Sequence, residues 1–221
     1  MRIKLQRIAY SLGGLLIAVC MATGALGMQP LPTQSVSANA DSPTPGESAV
    51  NGITDRPPIG WRLSGTKPDH YVAGLDLKNT YRAQRSVYLM EKTPAMDGYV
   101  YGQVMQFFNA ESYAGQRVRL RAAVRARDVE KSAGLWMRIE GKSSILAWDN
   151  MDQNPVKGTT DWKICDVVLD VPEEATRIYI GMQLLGSGKV WMSSLRFEVV
   201  KDTVPLTGSQ HVGPVNLDFQ K

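Results

Sequence analysis

The residues whose types and spacing could do chemistry sit in two short alternating stretches. In Leu135-Trp136-Met137-Arg138-Ile139-Glu140, every second residue is apolar. A strand would place Leu135, Met137 and Ile139 on one face, with Trp136, Arg138 and Glu140 on the other. In Arg177 to Leu185, Ile178, Ile180, Met182 and Leu184 share one face, while Tyr179 and Gln183 lie on the opposite one. A flat aromatic ring stacks on the apolar face of a pyranose, and planar amide and guanidinium groups read its hydroxyls. Trp136, Arg138, Tyr179 and Gln183 are therefore the candidate ligand-binding set, with Arg119 and Arg121 joining from a neighbouring strand. Sugar binding would expose Trp136 in a groove. The competing reading is a solvated or loop-covered outer face, with Trp136 packed beneath a neighbouring segment.

Other chemistries have weaker patterns. Arg117, Arg119, Arg121, Arg125 and Arg127 form a stripe that could meet phosphate or an acidic polysaccharide. With the charge outside the leader near neutral, the favoured reading is the wet side of a strand, paired to Asp and Glu. Asp149-Asn150-Met151-Asp152-Gln153-Asn154, with Asp161, is rich in oxygen donors of the kind calcium takes. It lacks EF-hand spacing, and Asp and Asn also start turns. No metal and no cofactor is assigned. His70 and His211 are too few and too separated for a zinc cluster. Glu140 with Glu198 or Asp170 could form a carboxylate pair. There is no Gly-x-Ser-x-Gly elbow, phosphate loop or metal motif, so the reading is non-enzymatic.

The elements that would position these residues are short strands separated by turn signals. Gly98 to Phe108 is one. Gly115 to Arg127 is the clearest, with Val118, Leu120, Ala122, Val124 and Ala126 opposite the arginines. Cys165, Val167, Leu169 and Val171 point inward from a third, which makes Cys165 a small core residue. Val190 to Val200 places Trp191, Leu195, Phe197 and Val199 in the core. Glu111-Ser112-Tyr113 reads as a single helical turn. No long amphipathic helix is present, and the pattern predicts an all-β fold: an antiparallel β-sandwich of jelly-roll type.

The chain has 221 residues, 43% of them hydrophobic, enough for one domain with extensions. Residues 1–27 begin with Arg2, Lys4 and Arg7, continue through an apolar run and exit through small residues, as a secretory signal does. Val19 precedes Cys20, which argues against lipidation, and four glycines interrupt the apolar run, which argues against a retained anchor. The expectation is an exported protein, periplasmic or extracellular, without a membrane span after cleavage. Residues 28–55 read as a flexible linker, 56–200 as the sandwich and 201–221 as a tail. Val215-Asn216-Leu217-Asp218-Phe219 could add an edge strand. The formal charge is +4, but most of it lies in the leader, so nucleic-acid binding is not expected.

Several motifs carry a resemblance across residues 56–219. They are Gly60-Trp61, Tyr71-Val72-Ala73-Gly74-Leu75-Asp76, Gln106-Phe107-Phe108, Tyr113-Ala114-Gly115-Gln116, Ala133-Gly134-Leu135-Trp136-Met137-Arg138, Gly158-Thr159-Thr160-Asp161-Trp162 and Pro214-Val215-Asn216-Leu217-Asp218-Phe219. Together they resemble a bacterial carbohydrate-binding-like (galactose-binding-like) jelly-roll domain. That domain is sometimes labelled with, or fused to, transcriptional regulators of the arabinose-regulator type. The resemblance implies a jelly roll, in a family whose function is poorly assigned; no helix-turn-helix pattern accompanies it here. The expected function is non-catalytic binding of a carbohydrate or cell-envelope glycan. The alternative is a structural or protein-interaction sandwich with a protein partner and no small ligand.

Overall fold

The computed structural model describes residues 52–93 and 99–208. The leader, most of the linker and the Val215–Phe219 segment fall outside the described residues. Among the described residues nine strands follow one another: β1 Arg62–Gly65, β2 Tyr71–Tyr81, β3 Gln84–Glu91, β4 Tyr101–Asn109, β5 Arg117–Glu140, β6 Ile145–Asp149, β7 Val156–Asp170, β8 Arg177–Leu185 and β9 Lys189–Val200. The only helices among the described residues are two 3-10 turns, Pro68–His70 and Glu111–Tyr113. The second falls where the sequence predicted one turn.

All pairings are antiparallel, and they run in the order β1-β4-β8-β5-β9-β3-β2, with β6 and β7 also on β5. β5 organises this arrangement. Its first half, Arg117 to Arg127, pairs with β9 and β7. Its second half, Ser132 to Glu140, pairs with β8 and β6. One strand thus serves two layers: β7-β5-β9-β3-β2 and β1-β4-β8-β5-β6. The sequence shows two strand patterns here, 115–127 and 135–140, and the protein runs them together.

The join has a physical cause. Inward residues are even-numbered from Val118 to Ala126, then odd-numbered from Val129 to Ile139. Asp128 sits between them at φ 52°, a left-handed conformation that inserts one residue and re-aims the strand. A second bulge occurs in β9, where Ser194 has φ 53° and the pairing with β5 shifts between Arg121 and Ala123. Val190 and Met192 therefore face the core before the bulge, and Leu195 and Phe197 pack against it afterwards. This corrects the predicted phase of β9. Trp191 is buried, but on the outer face of its layer, and Val199 is 49% exposed.

The two layers enclose one continuous core that includes Val118, Leu120, Leu135, Met137, Ile139, Ile178, Met182 and Leu184. Cys165 lies in it, and burial pushes its thiol pKa up. Tyr71 is buried with its hydroxyl 3.0 Å from the Gly186 carbonyl; its pKa is pushed up to about 12, mainly by desolvation.

On the outer face of the first layer, residues 52–55 run along β2. The Thr54 N–H donates to the Leu75 carbonyl (3.0 Å), and the Leu77 N–H donates to that of Gly52 (2.8 Å). Gly74 permits this approach, because a Cβ there would lie 1.7 Å from the Thr54 carbonyl oxygen. These residues pack as part of the domain, although their composition resembles the linker. Beneath them the Tyr88 hydroxyl donates to Asp55 (3.1 Å), and the Lys189 ammonium lies 4.1 Å from the Tyr88 ring centroid. Desolvation lowers the Lys189 pKa.

Asp76 is fully buried and accepts from Trp191 Nε1 (2.9 Å), from Asn79 Nδ2 (2.8 Å) and from the N–H groups of Lys78 and Asn79. Burial alone would raise its pKa; these hydrogen bonds outweigh burial and hold it below the usual Asp value. A lowered folded pKa stabilises the fold above the unfolded value, and the contribution is lost as pH falls through the folded one. Asp76→Asn puts an amide donor among these donors. It is expected to cost about 1–3 kcal/mol at pH 7, in chemical denaturation. The gap between wild type and variant should close in acid, below about pH 4; a gap independent of pH would overturn this account.

Candidate functional site

The second layer turns its outer face to solvent across β4, β8, β5 and β6, and strand register sorts the side chains into rows. Phe107 pairs with Tyr179, Tyr179 with Arg138, and Arg138 with Trp148. One row therefore reads aromatic, aromatic, arginine, aromatic. The row on one side holds Met105, Gly181 and Trp136, with Arg62 of β1 beyond Met105. The row on the other side holds Asn109, Arg177 and Glu140.

Trp136, Arg138, Tyr179 and Gln183 are brought onto this one face, as their alternation predicts. Their exposure differs from the expectation. Trp136 is only 3% exposed and forms a small apolar cluster with Met105 and Tyr179. It is a floor, not an open stacking ring. Gly181 leaves room for it, since a Cβ there would lie 2.9 Å from Trp136 Nε1. That indole nitrogen is buried without a hydrogen-bond partner. Gln183 reaches sideways and donates to the Asn150 carbonyl (3.4 Å).

Above this floor, Arg138 lies 4.6 Å from the Tyr179 ring centroid and pairs with Glu140 at 2.9 Å. The stacked, ion-paired guanidinium is thus held in one place. Phe107 packs on Tyr179 with ring centroids 5.3 Å apart and carries Arg62 at 4.8 Å and Arg177 at 5.7 Å from its own centroid. Phe107 is 45% exposed and Trp148 is 50% exposed. Sequence reasoning missed both as site residues. Phe107 had a signal, because it alternates with Met105 on a strand whose other face is apolar. Trp148 lies on a five-residue strand beside turn residues, and only the pairing with Arg138 locates it.

Arg119 and Arg121 lie elsewhere, on the first layer. Arg119 bonds Glu198 at 2.6 Å, and Arg121 bonds both oxygens of Asp166 at 2.6 Å. Arg117 makes a similar fork to Asp170. The stripe is thus paired to neighbouring carboxylates and does not join Trp136. Glu140, Glu198 and Asp170 are each beside an arginine, with Glu140 on the other layer from the remaining two. They do not face one another as an acid–base pair.

The oxygen-rich loop after β6 uses its oxygens for turns. Asp149 accepts from the Met151 N–H (2.8 Å) and from the Thr207 hydroxyl (2.5 Å), and Asn150 accepts from the Asp152 N–H (3.2 Å). Among the described residues, no group of three or more His, Cys, Asp or Glu side chains is placed to hold a metal. A cleft of about 410 Å³ opens between this loop, Thr207 and Lys163 to Asp166 of β7. Its Asp149 and Asp166 carboxylates are already engaged within the protein.

No protein-family model matches the sequence. Over 168 residues the chain is 39% identical to a Bacillus subtilis (strain 168) protein named as an uncharacterized HTH-type transcriptional regulator, YbfP. The match takes in 73% of this chain and spans 57% of that relative's length. Among solved structures, the chain is similar to a Stig cyclase, Fisc, from Fischerella sp. TAU (15% identity, 73% of this chain and 93% of that one, TM-score 0.49). It is similar to the CBM22-1 xylan-binding domain of Paenibacillus barcinonensis Xyn10C (11%, 64% and 86%, TM-score 0.46). It is also similar to TmCBM61 in complex with β-1,4-galactotriose (14%, 64% and 90%, TM-score 0.42).

The floor position of Trp136 has a measurable result. Trp136→Ala is expected to lower stability by about 3–5 kcal/mol in chemical denaturation, as deletion of a buried aromatic does. An unchanged unfolding midpoint would show that Trp136 is exposed after all.

Proposed function

We propose that this chain is an exported, non-catalytic module that binds a glycan on the outer face of its second layer. The observation that carries the reading is the row Phe107–Tyr179–Arg138–Trp148. It ends in two half-exposed aromatic rings and holds a fixed guanidinium between them. Trp148 offers an open ring for the apolar face of a sugar. Arg138 and Glu140 offer charged hydrogen-bonding groups beside it. The buried trio of Met105, Trp136 and Tyr179 keeps the row rigid, so little side-chain entropy is lost on binding. The charged start and apolar run of residues 1–27 support export.

The match to part of a regulator-named protein supports a module that works attached to different partners. Helix-turn-helix contact with DNA needs two α-helices, and the helices among the described residues are single 3-10 turns.

Calorimetric titration of the purified chain against neutral and acidic glycans is expected to give saturable binding. Trp148→Ala should weaken it tenfold or more in a protein that still unfolds cooperatively, with a smaller loss of stability than Trp136→Ala. Heatless mixing across the whole panel, from a folded protein, would overturn the glycan reading in favour of a protein-interaction sandwich.

A further inference from the structure

Arginines on the two layers fall into carboxylate-paired and ring-held sets, and on the first layer Arg125 and Arg127 lie over the Trp191 ring. On the first layer Arg117, Arg119 and Arg121 each have a carboxylate within 2.7 Å. On the second, Arg62 and Arg177 are exposed and lie against the same Phe107 ring, at 4.8 and 5.7 Å from its centroid. Neither has an ion-pair partner among the described residues. Arg138 stands one register position further, over Tyr179. Three guanidinium groups thus surround Phe107 and Tyr179, and Glu140, already bonded to Arg138, is the one carboxylate in the three rows.

From these contacts we infer that the face takes an anionic, carboxylate-bearing glycan, a uronate polymer, in preference to a neutral one. This rests on the glycan reading above and adds the charge of the ligand. Two like charges gathered on one ring repel each other, and an anion between them relieves that repulsion. A guanidinium presents a planar fork that fits a carboxylate. Arg62 and Arg177 break no existing ion pair to receive one. A uronate carries its carboxylate at the edge of the pyranose, in line with the ring. A sugar lying along the row would keep its apolar face toward the aromatics while the carboxylate reaches the arginines beside Phe107.

The test titrates the full chain with three polymers: polygalacturonate, β-1,4-galactan and polyglutamate. Polygalacturonate is expected to bind at least tenfold more tightly than galactan at low salt, with the advantage falling as salt rises. The double variant Arg62→Gln, Arg177→Gln should remove that advantage and its salt dependence, lowering polygalacturonate affinity by a larger factor than galactan affinity in a protein that still melts cooperatively. Trp148→Ala should weaken both sugars. Equal affinity for galactan and polygalacturonate, unaffected by the double variant, would overturn the preference and leave the glycan reading standing. Binding of polyglutamate as tightly as polygalacturonate, insensitive to Trp148→Ala, would overturn it as well, because the face would then be selecting charge alone. Failure of all three polymers to bind would remove the glycan reading itself, and the preference with it.

Discussion

One strand with two masters constrains this structure. β5 must bury even-numbered residues against one set of partners and odd-numbered residues against another, and it must do so without a break in the chain. The left-handed backbone at Asp128 reconciles the two demands. A strand that kept strict period two from Arg117 to Glu140 would turn Leu135, Met137 and Ile139 toward solvent. Everything on the candidate face follows from that shift, because it decides that Trp136 and Arg138 point outward.

The outer faces of the two layers are built on different electrostatic terms. On the first layer Arg117, Arg119 and Arg121 meet Asp170, Glu198 and Asp166, Arg125 and Arg127 lie over the Trp191 ring, and a buried network around Asp76 anchors that indole. The second layer is organised by aromatic rings that hold guanidinium groups by their faces. Ion pairs at a surface contribute little to stability, and each one occupies part of a guanidinium's fork. Cations held on rings keep their hydrogen-bonding edges available.

The sequence made the class of fold legible through alternation, and Trp136, Arg138, Tyr179 and Gln183 share a face because each pair lies on a single regular strand. It misled wherever a bulge intervened. Ser194 reversed the phase of β9, so Trp191 shares a period with Leu195 and Phe197 in sequence yet faces away from the core. Alternation also says which face a side chain occupies but not what covers it, which is why Trp136 reads as exposed. Phe107 and Trp148 come from strands more than forty residues apart. Only cross-strand register places them in one row, and register is not written in either strand alone. The arginines of β5 form the most conspicuous motif in the sequence, yet their partners on β7 and β9 lie too far along the chain to be paired by inspection.

The row also has a length. Phe107, Tyr179, Arg138 and Trp148 stand on four adjacent strands, and three interstrand steps of roughly 4.8 Å separate the first from the last. A molecule must therefore extend about 14 Å to touch both half-exposed rings. The sheet acts as a ruler laid across its strands. A compact ligand would reach one end of it and an elongated one both, so strand spacing sets a length that any occupant of the whole row must have.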